Sequence, residues 1–387
     1  MIHYFQSNQI GAPQLAGQTG SVIAILNACL LNGFNLRALT SITRVGTVAT
    51  VVADAGHGFR NNDVVHLAGA NQSAYNGKVR IREVTTNGFK FDVAGDPATP
   101  ATGALTAKVA SLDWESVFTA TSKAVYRSKD VTTTRLLLRI DETPLPGDVN
   151  YGRGTASCLA QLWESMLDID YGSGKSEVFW RKSSHQTADT RPWLLIGDGK
   201  RFWFCVAWSS TYPNRYAPFF FGDFSSFKPG DPYRCLLGGY PELGYNLGDP
   251  SNNLWLDMVF GVGATIAQTG IVIPRDYIQL GASTTACWVS GVSYQNSLGM
   301  GATNLPYPNP ADNGIYVMPM LVQEKTGPSL RGRVPGLLTP LHSINAPEPT
   351  RMPGFMLDGT ERTMLIVAAC ANNGNARLAF DLSGPWD

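Results

Sequence analysis

Thr85-Thr86-Asn87-Gly88-Phe89-Lys90-Phe91-Asp92-Val93 is the stretch whose pattern decides the fold class. Phe89, Phe91 and Val93 alternate with Lys90 and Asp92, the period of two expected of a half-buried strand. Asn87-Gly88 supplies the two residues that most readily adopt the positive φ angles of a tight hairpin turn. Working outward, Thr47–Ala53 is rich in Val and Thr, Asp63–Leu67 is a second short apolar run, and Val79, Ile81 and Val84 mark a third. Tyr75-Asn76-Gly77 is another turn signal, and Pro97–Gly103 reads as a closing loop. Short strands separated by turns over residues 40–109 predict a small β-sandwich or barrel module.

Before this module, Ser21–Leu31 (SVIAILNACLL) places Val22, Leu26, Cys29 and Leu30 on one helical stripe. Thr19 or Ser21 is positioned to cap this helix, and Gly33 to stop it in a left-handed conformation. From residue 110 onward the pattern is mostly β. Thr133–Ile140 reads as a strand. Trp193–Ile196 and Phe202–Trp208 flank a Gly197-Asp198-Gly199-Lys200 turn, and Thr363–Cys370 with Ala376–Leu382 flank Asn373-Gly374, so two hairpins are expected. Ser157–Leu167 fits helical spacing through Leu159, Leu162, Trp163 and Met166, but also fits an extended run, and both readings stand. The Pro- and Gly-dense stretches 212–250 and 299–354 read as long loops, or arms crossing subunit boundaries, because such residues interrupt ladders. The expected organisation is an N-terminal arm and helix (1–39), the small β module (40–109) inserted after it, and a larger β-rich domain (110–387). No heptad pattern supports a coiled-coil shaft.

Composition narrows function. Of 387 residues, 44% are hydrophobic and only 16% charged, well under the quarter usual for soluble globular chains. A folded chain with so few charges leaves neutral and apolar surface uncovered, which predicts extensive subunit contacts. Lys plus Arg equals Asp plus Glu at 30 each. That balance argues against nucleic acid as a partner, since displacing counterions requires excess positive charge. No apolar run approaches the 18 residues of a membrane span, and the opening Met1-Ile2-His3-Tyr4-Phe5-Gln6 lacks the regions of a signal peptide, so synthesis and folding in a cytoplasm are expected. Cys29, Cys158, Cys205, Cys235, Cys287 and Cys370 are scattered, without a CxxC or zinc spacing, and read as buried free thiols.

Candidate chemistry is sparse. Gly172-Ser173-Gly174-Lys175-Ser176 resembles a phosphate loop, but Ile169 stands where the pattern needs glycine, and Asp168 and Asp170 precede it. Asp168-x-Asp170 could open a calcium loop, except that the twelfth position is Phe179 rather than an acid. His57 and His66 lie close in sequence, but turn and strand histidines more commonly serve hydrogen bonding. The carboxylate pairs Glu164/Asp168 and Asp141/Glu142 would be needed for glycan cleavage, yet no spacing favours either. The rings of Phe179-Trp180, Trp193, Phe202-Trp203-Phe204, Trp208, Tyr212, Tyr216 and Phe219-Phe220-Phe221 could stack on sugars, but rings alternating in strands favour core or interface. No catalytic, cofactor-binding or metal-binding residue is therefore assigned, and the chain is not expected to be an enzyme.

Taken in order, several motifs resemble a family of tailed-bacteriophage and prophage virion proteins. They include Tyr4-Phe5-x-Ser7, Gly11-Ala12-Pro13-x-Leu15-x-Gly17, Gly56-His57-x-Phe59, Tyr126-Arg127-Ser128-x-Asp130-Val131 and Arg191-Pro192-Trp193. Further along come Phe221-Gly222-Asp223-Phe224, Lys228-x-Gly230-Asp231, Ala311-Asp312-Asn313-Gly314, Leu330-Arg331-Gly332 and Phe380-Asp381-x-x-Gly384-Pro385-Trp386. The resemblance runs along nearly the whole chain and thins over 155–167 and 240–300. It implies a structural role in the virion, without placing the protein on the particle; the expected role is a structural subunit of the tail, baseplate or head–tail region, assembled in the host cytoplasm. Its expected partners are copies of itself, in a trimer or a three-, six- or twelvefold ring, and other virion proteins. A receptor- or glycan-binding fibre or spike that contacts a host surface glycan is the alternative, and a glycan-cleaving tail enzyme a weaker one.

Overall fold

In the computed structural model, the described residues are 1–146, 153–240, 270–289, 306, 308–324, 329–342, 344, 349–357, 359–369 and 377–386. Among these residues the fold is mainly β, with 53% strand and 5% helix. No helix among the described residues is long and apolar enough to cross a membrane.

Seven strands from residues 34 to 109 form one sheet, and its two edges are consecutive in sequence. Gly77–Arg80 lies at one edge and Arg82–Thr85 at the other, separated only by Ile81, which is fully buried. A sheet whose edges are joined by one residue must curl back on itself, which shields edges that would otherwise invite pairing. The run through Val79, Ile81 and Val84 is thus two strands rather than one. Phe34–Val45 bends between the halves, pairing with Gly103–Val109 first and Val48–Ala53 later. The hairpin forms, but its turn is Thr86-Asn87 rather than Asn87-Gly88: Thr85 pairs with Gly88, which opens the next strand without a positive φ, and Phe89 and Phe91 point inward.

Among the described residues, the largest sheet has thirteen strands. His3–Gln6 pairs with Trp193–Gly197, followed by Arg201–Val206, Ala217–Asp223 and Cys235–Gly238. The far side runs through Val317–Glu324, Leu330–Pro340, Arg377–Asp381, Thr360–Ala368 and Thr350–Leu357. The sheet nearly closes into a barrel. Tyr216, just before Ala217–Asp223, donates its amide to the Ala368 carbonyl at 2.9 Å, and Ser225–Ser226, just after it, pairs with Gly332 and Arg333. Both expected hairpins are present in the strand pairing, although the Asn373-Gly374 turn lies outside the described residues.

The two Pro- and Gly-dense stretches correct the loop expectation. They contain Ala217–Asp223, Cys235–Gly238, Val317–Glu324, Leu330–Pro340 and the start of Thr350–Leu357. The prolines sit where a ladder tolerates a missing donor. The register breaks between Pro319 and Leu321, opposite the Val334-Pro335-Gly336 segment, and Pro340 ends its strand. Thr133–Ile140 is also corrected: the strand is Leu137–Asp141. Residues 130–135 instead form a turn, because the Thr134 amide and hydroxyl clasp Asp223 at 2.9 and 2.6 Å and Arg135 has φ of 53°.

A five-stranded sheet covers one face of the large one, in the order Trp114–Ala120, Lys123–Ser128, Leu137–Asp141, Ser157–Trp163, Ser176–Arg181. Ser157–Trp163 resolves the open reading as extended. It is an inner strand buried throughout, so apolar residues on both its faces imitate helical spacing.

Rings fill the layer between the sheets. Trp180 stacks on Phe219 at 5.7 Å and 11° and meets Phe202 edge-on at 6.2 Å. Trp114 also packs edge-on against Phe202. Successive residues alternate sides, so Trp203 and Phe220 (4.7 Å apart) face the other side of the sheet, where Trp203 reaches Phe380. Both faces are buried, which is why Phe219-Phe220-Phe221 reads as an unbroken apolar run.

The helix Ser21–Leu26 continues as a π-helical turn, Asn27–Asn32. Its cap differs from expectation. Gly20 occupies the N-cap, while Thr19 and Ser21 turn their hydroxyls to the carbonyls of Gly154 and Ala16. The helical amides are met instead by a distant carboxylate, as Ile23 donates to Glu142 Oε2 at 3.1 Å and Val22 to Oε1 at 3.4 Å.

Candidate interaction surface

Asp231, Arg331 and Glu324 meet beneath one end of the large sheet, with side chains at most 2% exposed. Arg331 Nη2 donates to Asp231 Oδ2 at 2.8 Å, and Nη1 donates to Glu324 and, at 2.9 Å, to the Arg275 carbonyl. Asp231 also accepts from the Ser226 hydroxyl, the Tyr233 amide and Gln279 Nε2. Burial pulls the Asp231 carboxyl upward, but the hydrogen bonds from Arg331, Tyr233 and Ser226 outweigh it and hold the group below its usual range. Glu324 goes the other way, since burial raises it by more than Arg331 lowers it.

Each of these contacts fastens a segment. The Phe227 amide donates to the Arg331 carbonyl at 2.7 Å. Lys228 Nζ donates to the Tyr277 carbonyl at 2.6 Å and lies 4.9 Å from the centre of the Tyr277 ring. Gln279 reaches Asp231, and Arg275 forms an ion pair with Glu164 at 2.7 Å. Residues 227–234, residues 274–283 and the start of Leu330–Pro340 are thereby tied into one unit. On that unit Phe227 is 55% exposed, Tyr277 43%, Ile278 66%, Leu280 69% and Leu330 44%. Single exposed apolar residues are ordinary; here five lie on segments fastened to one another. Because the segments are anchored from below, little ordering entropy is lost when a partner covers them.

The sequence named both halves of the anchor, in Lys228-x-Gly230-Asp231 and Leu330-Arg331-Gly332, without indicating that they touch. A pairing 100 residues apart leaves no local signature. Tyr277-Ile278-Gln279-Leu280 has neither helical nor strand periodicity, so apart from that misfit beside Pro274 nothing local marks its exposed side chains.

The residues weighed for chemistry have other occupations. Gly172–Ser173 pairs with Ser165–Met166, and Lys175 bonds Glu177 at 3.2 Å. Asp168 accepts the amides of Asp170 and Tyr171, while Asp170 is held by Lys123 and Arg139, both at 2.6 Å. His57 accepts the Phe59 amide at Nδ1, so Nε2 carries the hydrogen it donates to the Thr85 carbonyl at 2.9 Å. Among the described residues, no group of three or more His, Cys, Asp or Glu side chains could hold a metal ion. Of the carboxylate pairs, Glu142 is bonded to Lys182 and the helix, Asp141 to Arg139 at 3.2 Å, and Glu164 to Arg275. Cys29, Cys158, Cys205 and Cys235 are buried free thiols, each pushed upward by burial. The ring cluster is core: Trp180, Trp193, Trp203, Trp208 and Phe219 are fully buried and so cannot serve as an open sugar platform. No protein-family model matches the chain, and no curated protein sequence matches it.

Proposed function

We propose that the chain is a structural subunit of a tailed-bacteriophage virion, in the tail, baseplate or head–tail region, and that it works by assembly rather than catalysis. In this reading a small β module is inserted between an N-terminal helical segment and a larger β domain. Copies of the chain associate in a trimer or a three-, six- or twelvefold ring and join other virion proteins. The observation that carries the reading is the exposure of the apolar side chains Phe227, Tyr277, Ile278, Leu280 and Leu330 on segments tied together through Asp231 and Arg331. The ordered series of virion-like motifs supplies the particle. Low charge and equal numbers of acids and bases fit a surface made to be covered by protein rather than nucleic acid.

The test is protein mass spectrometry of particles purified from a strain that encodes the chain. The chain should copurify with particles at a fixed copy number that is a multiple of three. Its recovery only in the particle-free lysate would overturn the proposal. Glycan binding is kept as a second reading because of a polar groove on a different face.

A further inference from the structure

The five-stranded sheet has an outer face distinct from the apolar surface just described. Its strands bring Arg139, Gln161 and Glu177 into one row, since Arg139 pairs with Gln161 and Gln161 with Glu177. Alternation sends Leu138, Ile140, Ala160, Leu162 and Val178 into the core. It turns Arg139, Asp141, Gln161 and Glu177 outward, where they line a groove of about 370 Å³ together with Lys123 and Asp170.

The groove floor is a continuous hydrogen-bond lattice. Arg139 Nη1 donates to Gln161 Oε1 at 2.7 Å, and Gln161 Nε2 to Glu177 Oε2 at 2.8 Å. Arg139 Nη2 and Lys123 Nζ both donate to Asp170 Oδ1 at 2.6 Å. The Trp163 indole N–H also donates to Gln161 Oε1, at 3.2 Å, so that oxygen accepts from both Arg139 and Trp163. Lys175 and Glu177, each nearly half exposed, form the rim. Tyr171 directly follows Asp170 and is 70% exposed, which puts an open aromatic ring within one residue of the wall.

We propose that this groove binds a saccharide. The lining carries four cations (Lys123, Arg139, Arg153 and Lys175) against three carboxylates (Asp141, Asp170 and Glu177), so it is close to neutral. A polyanion needs a clear excess of cations, and this groove has almost none. An apolar ligand would bury the charges without replacing their water. A sugar hydroxyl donates and accepts at once. It bridges an ammonium–carboxylate pair such as Lys175–Glu177 and leaves neither partner unsatisfied. The planar guanidinium, amide and carboxylate groups are already locked to each other, so binding freezes few rotamers. The groove holds its ligand without cleaving it, because glycoside cleavage needs one acid kept protonated near neutral pH. Asp170 is lowered chiefly by Lys123; for Asp141 and Glu177, burial pushes upward but hydrogen bonds and cations prevail.

This inference does not depend on virion assembly or on the apolar surface. Its test uses the full chain with a defined set of probes: methyl glycosides of glucose, galactose, mannose and N-acetylglucosamine, their short oligomers, dextran sulfate and inorganic phosphate. Saturation-transfer NMR and calorimetric titration should find at least one neutral saccharide that binds and shifts the Trp163 indole resonance. Glu177→Gln and Lys175→Ala should each weaken it roughly fivefold or more, the effect of losing one hydrogen bond. Glu83→Gln, an exposed change on the small curled sheet, should leave binding unchanged. Binding by none of the sugars, equal binding in the groove variants, no response at Trp163, or binding of the polyanions alone would overturn the proposal. Oligomer mass, measured on the same samples, keeps this outcome separate from that of the assembly reading.

Discussion

Lys182 and Glu142 form an ion pair with both side chains completely buried, and Glu142 caps the helix Ser21–Leu26 by accepting the Val22 amide, 120 residues earlier in the chain. Lys182 Nζ also donates to the Gln18 and Gly154 carbonyls, and Glu142 accepts the amides of Val22 and Ile23. The ammonium thus has three acceptors and the carboxylate three donors, the condition under which a buried pair is tolerated. The contact joins the N-terminal segment, the end of Leu137–Asp141 and the end of Ser176–Arg181.

Breaking that pair on one side should be far worse than removing it. Lys182→Met leaves a buried carboxylate without its ammonium and should destabilise the fold by about 3–5 kcal/mol. The double variant Lys182→Met/Glu142→Gln should recover a substantial part of that loss. Urea unfolding midpoints of the two variants check this; equal losses would show that the charges are not coupled.

Acid should weaken the fold through His3. Its ring is buried, and burial, with Lys78 and Arg80 nearby, lowers its pKa from 6.5 to about 3. Nδ1 donates to the Ala110 carbonyl at 3.1 Å. The unfolded chain therefore takes up this proton first. The stability from neutral His3 is complete above about pH 6.5 and falls as the pH drops toward 3, by on the order of a few kcal/mol in all. Unfolding followed between pH 7 and 5 should show this slope in the wild type and a flatter one in His3→Asn. Equal slopes would contradict the assignment.

Gly336 should resist substitution. Its φ is +76°, and an added Cβ would come within 2.2 Å of the Trp386 ring. Gly336→Ala should destabilise by roughly 2–4 kcal/mol from strain and overpacking together. Gly46→Ala has the same handedness problem (φ +59°) but open space around it, so it should lose only about 1 kcal/mol. Thermal unfolding of the pair separates the two contributions.

Much of this architecture was legible from residues close in sequence. The hairpin leading into Gly88–Asp92, whose turn falls on Thr86-Asn87 one residue before the expected pair, the Trp193–Gly197/Arg201–Val206 hairpin and the buried stripe of Val22, Leu26, Cys29 and Leu30 all depend on local periodicity and turn chemistry. What stayed hidden depends on distant partners. Glu142 takes over the cap that Thr19 or Ser21 should have supplied, and Asp223 draws Thr134 out of the strand expected from Thr133. Pro319, Pro335 and Pro340 suggested loops, but the sheet accommodates them at a bulge and a strand end. For the site, the sequence supplied Asp231 and Arg331 as members of separate motifs. Their union, and the apolar side chains held above it, required the third dimension.

The apolar surface should govern association without governing folding. Ile278 and Leu280 are about two-thirds exposed, so Ile278→Asp/Leu280→Asp should leave the unfolding midpoint within about 0.5 kcal/mol of wild type. The same variant should shift the oligomer toward monomer at micromolar concentration, as seen by native mass spectrometry. An unchanged assembly would remove these residues from the interface.

In the proposed function, copies of the chain complete one another. Sedimentation equilibrium of the purified protein across the micromolar range tests it most directly. Assemblies of three, six or twelve times the 41.8 kDa chain mass are predicted. A single 41.8 kDa species at every concentration would overturn the assembly proposal.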